Sequence, residues 1–283
     1  MSWLTDPFSL EFVQRALLGG VLVAVLCGIA GTWVIVRGMA FLGEALAHGM
    51  LPGVALATVL GLPVLLGAAA SAVVMSVGIS VLQRRARLSY DTSIGLLFVS
   101  MLALGVIVIS HAGSFATDAT AILFGDILAI GGGDIVVLVI AVAAGIAAAT
   151  AAHRPLVALA IDERVAHVMR LGPRVAQTVL VGLVTLAVVA SYQAVGSLLV
   201  VGLLVAPAVA ARQWTERIPT TMALAAVFGA AAVGVGLLVS WHAATAAGAT
   251  IAAVAIAAAG LSFALRRSVE VVRRFVAPDP VPA

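Results

Sequence analysis

Lysine does not occur in this chain: all fifteen basic side chains among its 283 residues are arginine. That absence excludes a Walker-A lysine, a Schiff-base lysine and a Ser–Lys dyad. If the protein works with ATP, another chain must bind the nucleotide. Cysteine is nearly absent as well. Cys27, inside an apolar run, is the only one, so the chain can form no internal disulfide and no zinc–thiolate cluster. Charge is scarce too, at 10% of residues, where an ordinary soluble domain carries about a quarter. So few charges cannot cover a water-facing surface, and a soluble globular enzyme is excluded. The first residues, MSWLTDPFSLEFVQR, lack a basic stretch followed by a small-residue cleavage site, so no removable signal peptide is expected.

What fills the chain instead is apolar, at 63% of residues. A bilayer crossing takes roughly 20 predominantly apolar residues. Nine such segments can be marked, at 12–36, 40–60, 62–82, 92–111, 127–152, 175–192, 194–211, 219–239 and 242–264. Runs such as 135–152 are apolar all round, as a helix buried in lipid or in a bundle must be. The expected fold class is therefore all-α: a polytopic transmembrane helical bundle of nine spans, or eight if one segment is re-entrant. Gly19, Gly20, Gly28 and Gly31 in the first span suit close helix–helix packing, and Pro207 interrupts the seventh.

Arginine placement sets the expected topology. Arg84, Arg85 and Arg87 follow the third span, and Arg154, Arg164, Arg170 and Arg174 lie in the connection 153–174. Arg212 and Arg217 follow the seventh span, and Arg266, Arg267, Arg273 and Arg274 the last. The intervening connections carry none. The positive-inside rule puts the arginine-rich segments and the C-terminus in the cytoplasm, and parity adds Arg37 to that side. Arg15, near the outer interface, is the exception. The formal charge of +3 thus points to a membrane face and not to nucleic acid. A transmembrane domain over 1–267 and a short cytoplasmic tail over 268–283 follow, with no internal repeat.

An ionisable side chain inside a span costs at least about 2.5–3.5 kcal/mol on insertion scales and needs a partner or a purpose. The second span holds two, Glu44 and His48. Four residues apart, they share one helical face, roughly 6 Å apart along the axis. A carboxylate and an imidazole there can converge on a divalent cation such as Mn²⁺, Zn²⁺ or Fe²⁺. An intrahelical hydrogen bond that neutralises the cost of both is equally open. The pair is not an H-E-x-x-H motif, since the second histidine and its adjacent glutamate are missing.

Other polar residues invite plainer readings. Asp118, in the outward connection with His111, could guide a cation to the pore mouth or simply cap a helix. Asp126 and Asp134 flank a glycine-rich turn and suit capping. His242 beside Trp241 suits the membrane interface, while His153 and His167 fall on the cytoplasmic side. Within 153–174, Ala160 to Leu171 reads as a short amphipathic helix. Asp162 and Glu163 sit in its first turn, and Leu159, Val165, Val168 and Met169 offer apolar contacts. Such a helix could grip an ATPase or lie in the membrane interface.

Taken together, these motifs resemble the membrane permease subunit of ATP-binding-cassette importers for manganese, zinc or iron. The similarity spans nearly the whole chain. It is carried by G-E-A-x-x-H-x-x-L-P-G (Gly43 to Gly53), DTSIGLLF (Asp91 to Phe98), ILFGDIL (Ile122 to Leu128) and AVGSLLVVGLLVAPAVAAR (Ala194 to Arg212). The resemblance implies no enzyme activity and no permanently bound cofactor. It implies a dimer with a second permease copy or paralogue, a cytoplasmic ATP-binding subunit docked on 153–174, and an extracytoplasmic metal-binding protein. It also associates Glu44 and His48 with the metal pathway. Two departures stand out: Glu44 replaces the aspartate of many relatives, and Ala121 stands where many have histidine. Alternating access in the inner membrane is the expected mechanism. The rivals are a permease for a chelated metal or small organic solute, an ion-coupled secondary transporter, for which inverted repeats are lacking, and an intramembrane enzyme, for which no dyad spacing exists.

Overall fold

The computed structural model describes residues 6–86, 88–111, 126–169 and 171–276. After a single 3-10 turn at Pro7–Ser9 come α1 (Glu11–Val36), α2 (Ala40–Gly49), α3 (Leu51–Leu60), α4 (Val64–Arg85) and α5 (Tyr90–His111). Then follow α6 (Gly132–Ala151), α7 (His153–Ile161), α8 (Glu163–Val168), α9 (Pro173–Arg212), α10 (Ile218–Ala243) and α11 (Ala247–Val276). Among the described residues nine segments are long and apolar enough to cross a membrane, as the sequence predicts.

The first span is the hub, and glycine makes it so. α1 packs against α9, α10 and α6. A Cβ on Gly31 would collide with the Leu204 carbonyl oxygen, and one on Gly28 would lie 2.8 Å from the Ala226 amide nitrogen. Lipid tails are as apolar as leucine, so helices in a bilayer gain by close van der Waals approach instead of by burial from water. Trp33, Leu26 and Cys27 fill the space around that contact, all fully buried. Arg15 is accounted for locally, by an ion pair with Glu11 one turn earlier.

The sixth and seventh spans, Pro173–Tyr192 and Val195–Arg212, are the two arms of α9. Gly196 (φ 72°, ψ 168°) separates them, a left-handed conformation that only glycine adopts without strain. The arms run back to back. Arg174, at the start of the first arm, lines the same cavity as Arg37, and Arg212, at the end of the second, donates to the Ile35 carbonyl at 3.3 Å. Arg37, Arg174 and Arg212 therefore share one end of the bundle, the end at which α1 finishes. Near it, Trp214 Nε1 donates to Ser262 Oγ at 2.7 Å, and Ser262 Oγ to the Ala210 carbonyl at 3.0 Å, tying α11 to α9.

Four boundaries differ from the sequence reading. The fifth span starts at Gly132 and not at 127, because Ile127–Ala129 forms a 3-10 turn capped by Asp126. The second span keeps its expected bounds, 40–60, but is divided at Met50 into α2 and α3. Pro52 has no amide to give the helical bond to residue 48 and its ring crowds that turn. The connection 153–174 holds two helices in place of the single one expected from Ala160 to Leu171. Asp162 is extended (φ −161°, ψ 138°), ends α7, and accepts from the Ala166 amide at the start of α8. His242 belongs to the last turn of α10, not to the ninth span, because Ala244 turns the chain left-handed (φ 51°). The last helix continues to Val276, twelve residues past the expected end at 264, so much of the expected tail is helical.

Candidate functional site

Glu44 and His48 lie on α2, the first half of the divided second span, one turn apart. Glu44 Oε1 and His48 Nε2 are 2.9 Å apart, within hydrogen-bond distance. The division at Met50 comes directly after them, so the pair lies in the last turns of a ten-residue helix, within the span. Aromatic rings flank it: His48 meets Phe98 of α5 edge-on (centroids 5.8 Å, 70°), and Phe98 meets Phe41 in the same way at 5.5 Å. The small residues Gly43 and Gly49 set the pair's depth. A Cβ on the first would collide with Leu204 and on the second with Met75 Sδ, so α2 can lie close on α9 and α4.

The opposite side of the pair is open. The Glu44 side chain is 39% exposed and that of His48 21%. These are high values for a carboxylate and an imidazole near the middle of a span, where ionisable groups normally face a bundle interior or a water-filled path. Two donor atoms do not complete a coordination sphere. Among the described residues no cluster of three or more His, Cys, Asp or Glu side chains is assembled within this chain.

The other sequence candidates are dispersed. Asp126 Oδ1 accepts from the Leu128 amide at 3.1 Å and Asp134 Oδ2 from the Gly131 amide at 3.0 Å, so both cap turns. His153 packs edge-on against Trp33 at 6.0 Å, far along the chain from the pair and at the arginine-bearing end of α1. Asp118 and Ala121 lie outside the described residues, as do Ile122 to Gly125 of the ILFGDIL motif. In the α7–α8 connection Leu159 is buried, whereas Ile161, Val168 and Met169 are 73%, 83% and 60% exposed. Asp162 is exposed beside them, and Glu163 and Val165 lie on α8. Such bare apolar side chains next to charges are a surface suited to a protein partner.

Sequence reasoning missed Arg37. Its guanidinium donates from Nη1 to the Leu159 carbonyl at 2.5 Å. It also lines a cavity of about 490 Å³ with Gln83, Tyr90, Asp91, Arg174 and Gln177. Its position, one residue before a glycine between two apolar helices, was the available signal.

Similarity to characterised proteins agrees with this architecture. Residues 9–266 match the ABC 3 transport family. The chain belongs to that family. It is 33% identical over 255 residues to the manganese transport system membrane protein MntC of Listeria monocytogenes, covering 90% of this chain and 91% of that one. A probable iron transport system membrane protein of Haemophilus influenzae is 29% identical over 240 residues, covering 85% and 88%. Among solved structures, PsaBC from Streptococcus pneumoniae in complex with Fab contains a chain 32% identical, with a TM-score of 0.81 over 93% of this chain and 94% of that one. The chain is thus a multi-pass membrane permease of an ATP-binding-cassette transporter.

Proposed function

We propose that this permease imports a divalent transition-metal cation, with Glu44 and His48 as its transient ligands. The observation that carries the reading is the pair itself: an oxygen and a nitrogen donor 2.9 Å apart, half-open, at a helix break inside the membrane. A carboxylate oxygen and an imidazole nitrogen suit a borderline divalent cation such as Mn²⁺ or Fe²⁺. The names of the relatives favour manganese and iron in the same way. In place of a resident cofactor, the metal is cargo.

One chain supplies two donors, so a second permease copy or a paralogue completes the site by bringing its own pair to the open side. The exposed face around Ile161, Val168 and Met169 receives a cytoplasmic ATP-binding subunit, since this chain has no lysine for a phosphate loop. An extracytoplasmic metal-binding protein delivers the ion at the other end. The arginine-bearing end, with the C-terminus, faces the cytoplasm across the inner membrane. Transport proceeds by alternating access: the pair holds the ion long enough to exclude its return, and weakly enough to release it inward. Cells lacking this chain and restored with it should regain uptake of radiolabelled Mn²⁺ or Fe²⁺. Restoration with Glu44→Ala or His48→Ala should not regain it, and full uptake by either variant would end the site assignment.

A further inference from the structure

A transporter driven from outside its own chain needs a physical link between the surface that is pushed and the site that must respond. In this chain the two are joined over a short path. α7 packs on α9 and α8 and meets the end of α1 at two points, one near each of its own ends. At its beginning His153 packs edge-on against Trp33 at 6.0 Å. Near its end the Leu159 carbonyl accepts from Arg37 Nη1 at 2.5 Å. Trp33 and Arg37 are four residues apart, on one face of α1. Leu159 carries one of the last four carbonyls of α7, which have no amide partner within the helix, and a guanidinium is the strongest donor available to cap it.

From Arg37 the chain reaches the metal pair quickly. Gly38 follows in a left-handed conformation (φ 66°), and the Met39 amide returns to the Val34 carbonyl at 2.9 Å, closing α1 with a glycine cap. α2 begins at Ala40, and Glu44 and His48 are its next two turns. The guanidinium has a single tether, since Arg37 Nε is buried without a hydrogen-bond partner, and it borders the 490 Å³ cavity.

We propose that Arg37 is the positioning residue that transmits movement of the α7–α8 connection to Glu44 and His48, by tethering the end of α7 to the α1–α2 turn. When a docked subunit displaces α7, the Leu159 carbonyl draws Arg37 with it, the turn at Gly38 rotates, and α2 reorients as a rigid ten-residue rod about its break at Met50. The inference rests on the importer reading above and adds a residue outside the metal pair.

The test is made on the full transporter, permease with its ATPase partner, in proteoliposomes, reading Mn²⁺ moved per ATP hydrolysed. Arg37→Gln keeps a hydrogen-bond donor but loses the charge and the reach. It should lower that ratio at least about tenfold while ATP hydrolysis changes by no more than roughly threefold, the size of a typical coupling energy. Arg37→Lys, which can still cap the carbonyl, should recover most of the ratio, as a merely structural loss would not. Gly38→Ala gives a second route should Arg37→Gln fail to assemble. A Cβ there meets nothing within 4 Å, so it strains the turn without a clash, and it should also lower the ratio. A wild-type ratio in either Arg37→Gln or Gly38→Ala overturns the proposal while leaving the importer reading intact. Failure of the unmodified transporter to move Mn²⁺ or Fe²⁺ overturns both.

Discussion

The two halves of the bundle are built differently. In the most apolar stretches of α1 and the second arm of α9, 72% and 67% of residues are buried within this one chain. In α4, α5 and α6 the shares are 28%, 28% and 22%. Composition does not distinguish these halves, since every one of these spans is apolar. Nor does glycine alone, since Gly67 of α4 presses on the Gly53 backbone as Gly28 and Gly31 of α1 press on their neighbours. Position does: α1 and α9 lie at the centre and form a core around Trp33. The second half exposes Val73, Val77, Val99 and Ile140 to whatever surrounds the chain, lipid or another copy. Glu44 and His48 lie where the halves meet. One side of α2 is seated on α9 and the other is open, an arrangement suited to a site that must hold and then release.

The largest effect should come from disturbing the buried half. Gly31→Val forces a branched side chain against the Leu204 backbone, where neither helix can yield. Overpacking of this kind costs on the order of 3 kcal/mol. Loss of the monodisperse species in detergent is expected, and a normally folded variant would show that the α1–α9 contact is not the core. Next in size, at the boundary, Glu44→Ala and His48→Ala should each lower metal uptake more than about tenfold, with membrane insertion unchanged, since removing even supporting contacts of a metal costs that much. Smaller again is the effect of Val168→Asp combined with Met169→Asp on the α7–α8 surface. Co-purification of the ATPase subunit should weaken about tenfold, as when an apolar contact at an interface centre is lost. Smallest is Ile140→Leu on the open half. Exposed to its surroundings and far from any tight contact, it should shift stability by less than about 0.5 kcal/mol in a thermal melt.

Much of this was readable from residues alone, because a bilayer imposes a simple rule on sequence. Twenty apolar residues make a span, and arginine marks an end, so the all-α class, the nine spans and the grouping of Arg37, Arg174 and Arg212 follow directly. Glu44 and His48 stand out against that background by their cost. The capping roles of Asp126 and Asp134 were legible from the glycines between them. Breaks within apolar stretches were not. Pro52 is tolerated in many membrane helices, so its position does not predict that α2 stops at Met50. The turn between the sixth and seventh spans was marked near 193, but not that Gly196, with its φ of 72°, makes it. The extended Asp162 looks, in sequence, like a favourable first-turn acid. Arg37 looked like one more positive charge in a loop. Its role depends on the carbonyl of Leu159, 122 residues later, and no local pattern reports such a contact.

The central claim is that Glu44 and His48 hold the transported ion between two permeases. Titration of the purified dimeric permease with Mn²⁺, followed by electron paramagnetic resonance of the free ion, tests it most directly. The free-ion signal should be lost up to one Mn²⁺ per two chains, and His48→Ala should abolish that loss in a protein that remains dimeric. Undiminished Mn²⁺ binding by the His48→Ala variant, at the same stoichiometry, would contradict it.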